Sequence, residues 1–213
     1  MDNRILQLNR RGHTAEDVVK ASEMLKSFGF ELGLQMMTGL YGSDDRDSIE
    51  TAEKIIELKP STVRIYPTVV LENTPLAELY RKGEYEPQTV EAAAELCAKL
   101  LMMFHDANIN VIRTGLHSGG DVEGEYVAGA YHPAFKELCE GKIYLQKALD
   151  FIKADKIPEG DIEIRVPQNG ISQMTGQKKT NILSLAKMGY NARVTGDSSL
   201  DKYQVYILRN ETK

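Results

Sequence analysis

The sequence has no tryptophan and only two cysteines, Cys97 and Cys139, among its 213 residues. The two cysteines lie far apart, and neither has a histidine or a second cysteine at metal-ligand spacing. This pattern predicts free thiols in a reducing, cytoplasmic setting. Because Cys97 lies within a helical pattern over residues 92–104, we expect it to be a small core residue rather than a ligand or a nucleophile.

Long apolar runs are also missing, and charge of one sign is only mildly in excess. No run approaches the ~18 apolar residues that a membrane-spanning helix needs, so we expect no membrane partner. The net charge of −5 argues against nucleic-acid binding by the chain as a whole. Residues 155–213 differ, with nine Lys and Arg against seven Asp and Glu. Hydrophobic residues make up 42% of the sequence, which is enough for a packed core.

The sequence lacks the common cofactor-binding and hydrolytic motifs. It contains no G-x-G-x-x-G, no Walker sequence and no H-E-x-x-H. Its four histidines lie in four separate segments, and no pair has metal-ligand spacing: His13, His105, His117 and His132. We therefore predict no metal site from the sequence, and the sequence leaves the catalytic residues unknown.

Helical and strand patterns alternate over residues 14–113. Thr14, with Asp17 three residues later, predicts the capped start of a helix over residues 15–27. Apolar runs predict strands over residues 30–37, 62–68 and 110–113, with helices between them. This alternation predicts an α/β fold with a parallel sheet. Three strands cannot close an eight-stranded barrel, so the sheet is either open or part of a barrel.

The second part of the chain has a different organisation. Residues 114–131 are rich in glycine and are predicted to form a loop, and a helical pattern follows that Gly141 could interrupt. The turn Pro158-Glu159-Gly160 predicts a boundary between domains 1–157 and 158–213. The second domain is expected to be a small α+β unit, with strands over residues 161–166, 191–195 and 203–208 and one helix over residues 175–188.

The most informative polar residues lie in the apolar strand patterns. Arg64 and Tyr66 alternate with apolar neighbours and therefore share one face of their strand. In a sheet covered by helices, an arginine is costly unless it meets an anion or a carboxylate. Gln35 is a similar polar residue in the first strand. That strand ends in Gly39-Leu40-Tyr41-Gly42, which is either a tight turn or the ligand-binding edge of a parallel sheet.

Two basic segments could contact phosphate groups. One is Arg10-Arg11, and the other combines residues 177–181 with Arg165, Lys187 and Arg193 into a small candidate RNA-binding patch. A solvated basic face is the simpler interpretation of either segment.

Four segments together resemble a known family: Leu8-Asn9-Arg10-Arg11-Gly12-His13-Thr14, Gly33-Leu34-Gln35-Met36-Met37-Thr38-Gly39-Leu40, Val63-Arg64-Ile65-Tyr66-Pro67-Thr68-Val69-Val70 and Tyr131-His132-Pro133-Ala134-Phe135. Their order and intervals resemble the second half of a radical S-adenosylmethionine (radical SAM) enzyme. The nearest groups are the bacterial proteins related to the Elongator catalytic subunit and, more distantly, the oxygen-independent coproporphyrinogen III oxidases.

The resemblance implies a TIM-like partial (β/α) barrel that binds S-adenosylmethionine beside a [4Fe–4S] cluster. Residues 30–37 would be its fifth strand and residues 62–68 its sixth. By the same resemblance, the cofactor-binding residues are Gln35, Met37, Gly39, Arg64 and Tyr66. The family's G-L-P-G turn corresponds to residues 39–42, where Tyr41 replaces the usual proline.

The sequence departs from this family at the cluster. It has no C-x3-C-x2-C motif, and its two cysteines cannot supply three ligands. We therefore expect a fragment whose missing partner is the N-terminal half of the barrel. Alone, this chain is expected to bind neither the cluster nor S-adenosylmethionine and to be inactive.

The resemblance also implies a substrate, and alternatives remain open. By analogy with the Elongator-like proteins, the first expectation is a modified base in tRNA. An alternative is a non-enzymatic RNA- or protein-binding module that uses residues 115–129 and the basic C-terminal part. A third is a small-molecule site at residues 39–42. Bare strand edges also predict self-association.

Overall fold

The computed structural model describes residues 1–116 and 124–209. The chain divides into two compact units, Met1–Phe135 and Lys136–Lys213. Among the described residues, the first unit contains two sheets and the second unit contains one.

The first unit alternates strands and helices and contains a parallel sheet, as predicted. In order along the chain its elements are α1 (Asn3–Leu8), α2 (Ala15–Ser27), β1 (Gly33–Thr38), α3 (Asp45–Glu57), β2 (Thr62–Pro67), β3 (Val69–Leu71), α4 (Pro75–Arg81), α5 (Val90–Asp106), β4 (Asn110–Thr114) and β5 (Tyr126–Gly129). Strands β1, β2 and β4 form the parallel sheet in the order β1-β2-β4. The α/β fold class is therefore confirmed for this unit.

The predicted start of α2 is confirmed, including the capping role of Thr14 and Asp17. The Asp17 backbone N–H donates to Thr14 Oγ1 at 3.2 Å, and the Thr14 N–H donates to Asp17 Oδ2 at 2.8 Å. This reciprocal pair satisfies two backbone donors that a helix start would otherwise leave without a partner. Helix α3 begins in the same way, with Asp44 and Asp47 as the pair.

The core of the first unit lies on one side of the parallel sheet. Met36, Val63 and Ile65 are buried and point towards α3 and α5. The helices contribute further buried side chains: Ala52, Ile55, Leu96, Leu100 and Phe104. Burial alternates along β1 and β2, so the residues between these core positions face the other side.

A short second sheet includes one strand from the region that was predicted to be a loop. Strands β3 and β5 pair in antiparallel fashion, with Val69 opposite Gly129. The prediction of a continuous loop over residues 114–131 is therefore wrong at its C-terminal end. The middle of that segment, including His117, lies outside the described residues.

The second unit is built around a mixed three-stranded sheet. Its elements are α6 (Phe135–Ala154), β6 (Gly160–Val166), α7 (Ile171–Thr175), α8 (Thr180–Lys187), β7 (Tyr190–Gly196) and β8 (Tyr206–Arg209), with 3-10 turns at Gln168–Gly170 and Gln177–Lys179. The strand order is β7-β6-β8. Strand β6 is parallel to β7 and antiparallel to β8.

Helix α6 makes several contacts within this unit, which begins at Lys136, whereas the predicted domains were 1–157 and 158–213. The Tyr203 hydroxyl donates to Glu140 Oε1 at 3.0 Å, and Asn181 Nδ2 donates to the Gly141 carbonyl at 2.8 Å. The helix continues through Gly141, where a Cβ atom would lie 3.2 Å from the Gln173 carbonyl oxygen. Glycine here permits close packing and does not interrupt the helix.

The predicted single helix over residues 175–188 is wrong. Left-handed backbone at Lys178 (φ 52°) and Lys179 (φ 62°) separates α7 from α8. Gly176, which ends α7 with φ 78°, was the local signal for this break, whereas the left-handed lysines were not predictable because lysine is ordinarily a good helix former. None of the described helices is long and apolar enough to cross a membrane.

Candidate functional site

Four of the predicted site residues lie together on one side of the parallel sheet. The register pairs Gln35 of β1 with Arg64 of β2 and Met37 with Tyr66. Partners in adjacent strands project to the same face, so all four side chains share it. We call this side of the β1-β2-β4 sheet the open face. The shared face of Arg64 and Tyr66 is thus confirmed, and Gln35 and Met37 are added to it.

The open face is accessible, which corrects one expectation. Gln35 and Arg64 are exposed, whereas Met37 and Tyr66 are half-buried. The sequence analysis considered a sheet covered by helices, in which Arg64 would need an anion or a carboxylate as its partner. Helices α3 and α5 pack on the opposite side, where Met36 and Ile65 are buried. The Arg64 guanidinium therefore keeps access to water and to ligands.

A second arginine extends the open face onto β4. The register between β2 and β4 shifts after Val63, so that Arg64 pairs with Arg113 rather than with Ile112. This bulge places two guanidinium-bearing residues side by side on adjacent strands, and their summed field favours an anionic group. The sequence could not indicate this pair, because a one-residue shift in register is set by pairing and not by local pattern.

The turn at residues 39–42 is held in place by side chains from distant elements. The Tyr85 hydroxyl donates to the Gly39 carbonyl at 2.6 Å. The Asn9 side chain pairs with the backbone of Tyr41 in both directions, since its Nδ2 donates to the carbonyl at 2.9 Å and its Oδ1 accepts from the N–H at 3.2 Å. Gly42 has φ 74°, and a Cβ atom there would lie 2.7 Å from Leu8 Cδ1. The Leu8-Asn9 segment therefore fixes the turn, a role that the sequence analysis missed.

The arginine-rich segment before α2 lies beside β1. Arg11 Nη1 is 3.7 Å from the Met37 sulfur atom, and His13 Nδ1 is 2.9 Å from the Arg11 carbonyl oxygen. A cavity of about 120 Å³ is lined by Arg11, His13, Gln35 and Met37 among others. The sequence alone favoured a solvated helix entrance for Arg10 and Arg11, but the fold brings Arg11 to a predicted cofactor-binding residue.

A larger open cleft lies over the turn itself. It has a volume of about 620 Å³, and its lining includes one arginine, Arg46, and four carboxylate residues: Asp44, Asp45, Glu84 and Glu86. Negative charge of this density repels phosphate and other anions. A small molecule bound at this edge, as the third interpretation of the sequence has it, would have to be neutral or cationic.

Tyr85 gives a test of how the turn is held. Burial raises the pKa of Tyr85 from 10.0 to about 12. In Tyr85→Phe we expect the free energy of unfolding to fall by ~1 kcal/mol at neutral pH, because the Gly39 carbonyl loses its donor. Because the pKa of Tyr85 is raised in the folded state, its contribution to the free energy of unfolding is fully present below pH 10. That contribution is lost as the pH rises towards 12. Urea unfolding at pH 7 and pH 11 should therefore show the difference between the two proteins shrinking. A difference that stays constant would contradict this role.

The donor groups of the chain do not match a [4Fe–4S] cluster. Cys97 and Cys139, in α5 and α6, are both buried. Within residues 1–116 and 124–209, no group of three or more His, Cys, Asp or Glu side chains could hold a metal ion. A cluster of this type needs Cys thiolates as ligands. The open face, by contrast, offers an amide, a phenol and guanidinium groups suited to a polar organic cofactor.

Comparison with known proteins shows which family the chain resembles. The radical SAM C-terminal domain family matches residues 60–145. The tRNA uridine(34) acetyltransferase of Methanocaldococcus jannaschii is 40% identical over 97 residues, which are 44% of this chain and 18% of that protein. Elongator complex protein 3 of Homo sapiens is 30% identical over 96 residues, again 44% of this chain and 18% of that protein. The chain thus spans about a fifth of the length of these relatives.

A solved structure is similar over a longer stretch. The archaeal Methanocaldococcus infernus Elp3 with an N-terminal deletion matches with a TM-score of 0.55 and 25% identity, over 73% of this chain and 34% of that chain. The match extends well beyond the segment shared with the curated relatives. The predicted resemblance is confirmed: this chain resembles the Elongator-like radical SAM proteins in their C-terminal half, and its residues 60–145 match the radical SAM C-terminal domain.

Proposed function

We propose that this chain supplies the cofactor-lining C-terminal part of a radical SAM enzyme, with the open face as the inner side of a partial (β/α) barrel. One observation carries the proposal: the register places Gln35 beside Arg64 and Met37 beside Tyr66, on the side of the sheet opposite to the buried residues that face α3 and α5. In a (β/α) barrel the helices lie outside the strands, so the inner strand surface is the side without helices.

The residues of the open face fit S-adenosylmethionine by their chemistry. Arg64 has the planar fork of donors that binds a carboxylate. Gln35 can donate to and accept from hydroxyl and amine groups, and Met37 and Tyr66 offer polarizable and aromatic surface to a purine ring. When bound beside a reduced cluster, S-adenosylmethionine supplies the means to abstract hydrogen from an unreactive carbon.

The cluster itself has to come from another part of the barrel. The two buried cysteines of this chain cannot provide three thiolates, so the chain alone is inactive in this proposal. Its partner is the N-terminal half of the barrel. Two features support such a partner: β1 is an edge strand of the described sheet, and the neighbouring apolar residues Met24, Leu25, Phe28 and Phe30 are exposed. Both would be covered by further strands and helices.

The substrate in this proposal is RNA in the cytoplasm, with a tRNA base as the first candidate. The names of the curated relatives support this choice, since one of them is a tRNA uridine(34) acetyltransferase. Arg64 and Arg113 on the open face would also favour a phosphate-bearing substrate close to the cofactor.

The experiment that tests the proposal is to sequence the DNA that precedes the codon for Met1. A C-x3-C-x2-C motif in the same reading frame would support it, because the cluster would then belong to the same polypeptide. A stop codon would mean that the cluster-binding half is a separate chain. A continuous frame that encodes an unrelated domain would contradict the proposal.

A further inference from the structure

The second unit presents a basic loop between two helices that join parallel strands. The chain runs from β6 through α7, residues 176–179 and α8 into β7, which is parallel to β6 and lies at the edge of its sheet. We propose that this unit binds single-stranded RNA, with residues 176–179, called here the basic loop, holding the phosphate backbone. The choice of RNA rests on the proposed function, whereas the surface itself is argued from the second unit alone.

Charge is the first support. Residues 164–196 contain no Asp or Glu, although the whole chain has a net charge of −5. The same stretch carries five basic residues: Arg165, Lys178, Lys179, Lys187 and Arg193. Arg165 is partly neutralised by Glu163, whose carboxylate lies 3.0 Å from its Nε. The three lysines of the basic loop and α8 are exposed and are therefore the part of this stretch best placed to meet phosphate groups.

The conformation of the basic loop is fixed by its surroundings. Gly176 has φ 78°, and a Cβ atom there would lie 2.8 Å from the Asn181 backbone nitrogen, so a larger residue would displace the loop. The Asn181 side chain donates to the carbonyls of Gly141 and Gln173, at 2.8 and 3.1 Å, and anchors the start of α8. Lys178 and Lys179 are therefore exposed on a backbone whose conformation is already fixed. This lowers the conformational entropy that the loop loses on binding.

The exposed side of α8 continues this surface. Leu183 and Lys187 are four residues apart and lie on one side of the helix, and Lys179 immediately precedes its first turn. The Leu183 side chain is 56% exposed, which places an apolar contact between two cations. An extended nucleic-acid strand offers the matching pattern, because its phosphates and unstacked bases present charge and apolar surface in turn.

The basic loop has a position analogous to that of a known RNA-binding loop, but it has only the first of that loop's two glycines. In KH modules, a G-x-x-G loop holds the backbone of about four nucleotides. Here Gly176-Gln177-Lys178-Lys179 lies between α7 and α8, and a lysine stands at the fourth position. Lys179 has φ 62°, a conformation that glycine adopts readily. The lysine keeps the backbone shape and adds a charge.

Fluorescence anisotropy of the full chain with a short, labelled, single-stranded RNA tests the proposal. The double variant Lys178→Glu/Lys179→Glu is expected to bind about tenfold or more weakly at low salt. The slope of the logarithm of its affinity against the logarithm of the salt concentration should be less steep by about 1.4, because two phosphate contacts are lost. Circular dichroism should show an unchanged fold, since both side chains are exposed.

The matched control is Lys153→Glu/Lys156→Glu, which changes the net charge equally. These lysines are exposed and precede the N-terminal end of β6, and Lys156 is also left-handed with φ 52°. The control is expected to bind RNA like the unmodified chain. Equal weakening by both variants, or no binding by the unmodified chain at low salt, would overturn the proposal. Displacement of the RNA by an equal concentration of DNA of the same sequence would overturn the choice of RNA. RNA binding needs no cluster, so these failures differ from a failure of the radical chemistry.

Discussion

We expect the chain to self-associate, and replacing Met24 and Phe28 with glutamate is expected to make it a monomer. These side chains are 61% and 72% exposed, and Leu25 and Phe30 beside them are also exposed. An apolar cluster of this kind beside an edge strand favours association when its proper partner is absent. Two carboxylates at the centre of the cluster would have to lose water on association, which disfavours the contact. Light scattering across a range of protein concentrations measures the change in mass.

The control for this experiment is Lys20→Gln/Lys82→Gln, which lowers the net charge by the same amount at two exposed positions. It should self-associate like the unmodified chain. If the unmodified chain is a monomer at every concentration, the apolar cluster does not drive association, and the support that it gives to a missing barrel half is lost.

Phe104→Ala is expected to have the largest effect on stability, lowering the free energy of unfolding by ~3–5 kcal/mol. Phe104 is completely buried near the end of α5, the helix that packs on β4 and α3 beneath the open face. Removing its ring leaves a cavity that the surrounding core can fill only in part. Urea unfolding monitored by circular dichroism measures the loss.

The same substitution at an exposed site separates burial from side-chain type. Phe28→Ala removes an equal ring from the surface of the first unit and should change the free energy of unfolding by less than ~1 kcal/mol. Similar losses in the two variants would contradict the assignment of the core to the α3 and α5 side of the sheet.

The sequence predicted those features that depend on neighbouring residues. The Thr14 and Asp17 pair is a local signal, and it located the start of α2 at Ala15. Alternation within residues 62–67 likewise placed Arg64 and Tyr66 on one face. Both predictions needed only the geometry of a single element.

Features that depend on distant partners could not be predicted. The bulge that aligns Arg113 with Arg64 arises from pairing between strands, and the Asn9 contact with Tyr41 joins residues 32 positions apart. The break before α8 depends on close packing around Gly176 and overrides the helix preference of two lysines. In each case, tertiary contacts decided what local propensity left open.

The central claim is that this chain provides the cofactor-lining face but not the cluster of a radical SAM enzyme. It is tested most directly by reconstituting the chain alone with iron and sulfide under anaerobic conditions and measuring bound iron together with the visible absorption spectrum. We expect no stoichiometric cluster, because the two cysteines are buried and too few. A stoichiometric [4Fe–4S] spectrum from this chain alone would contradict it.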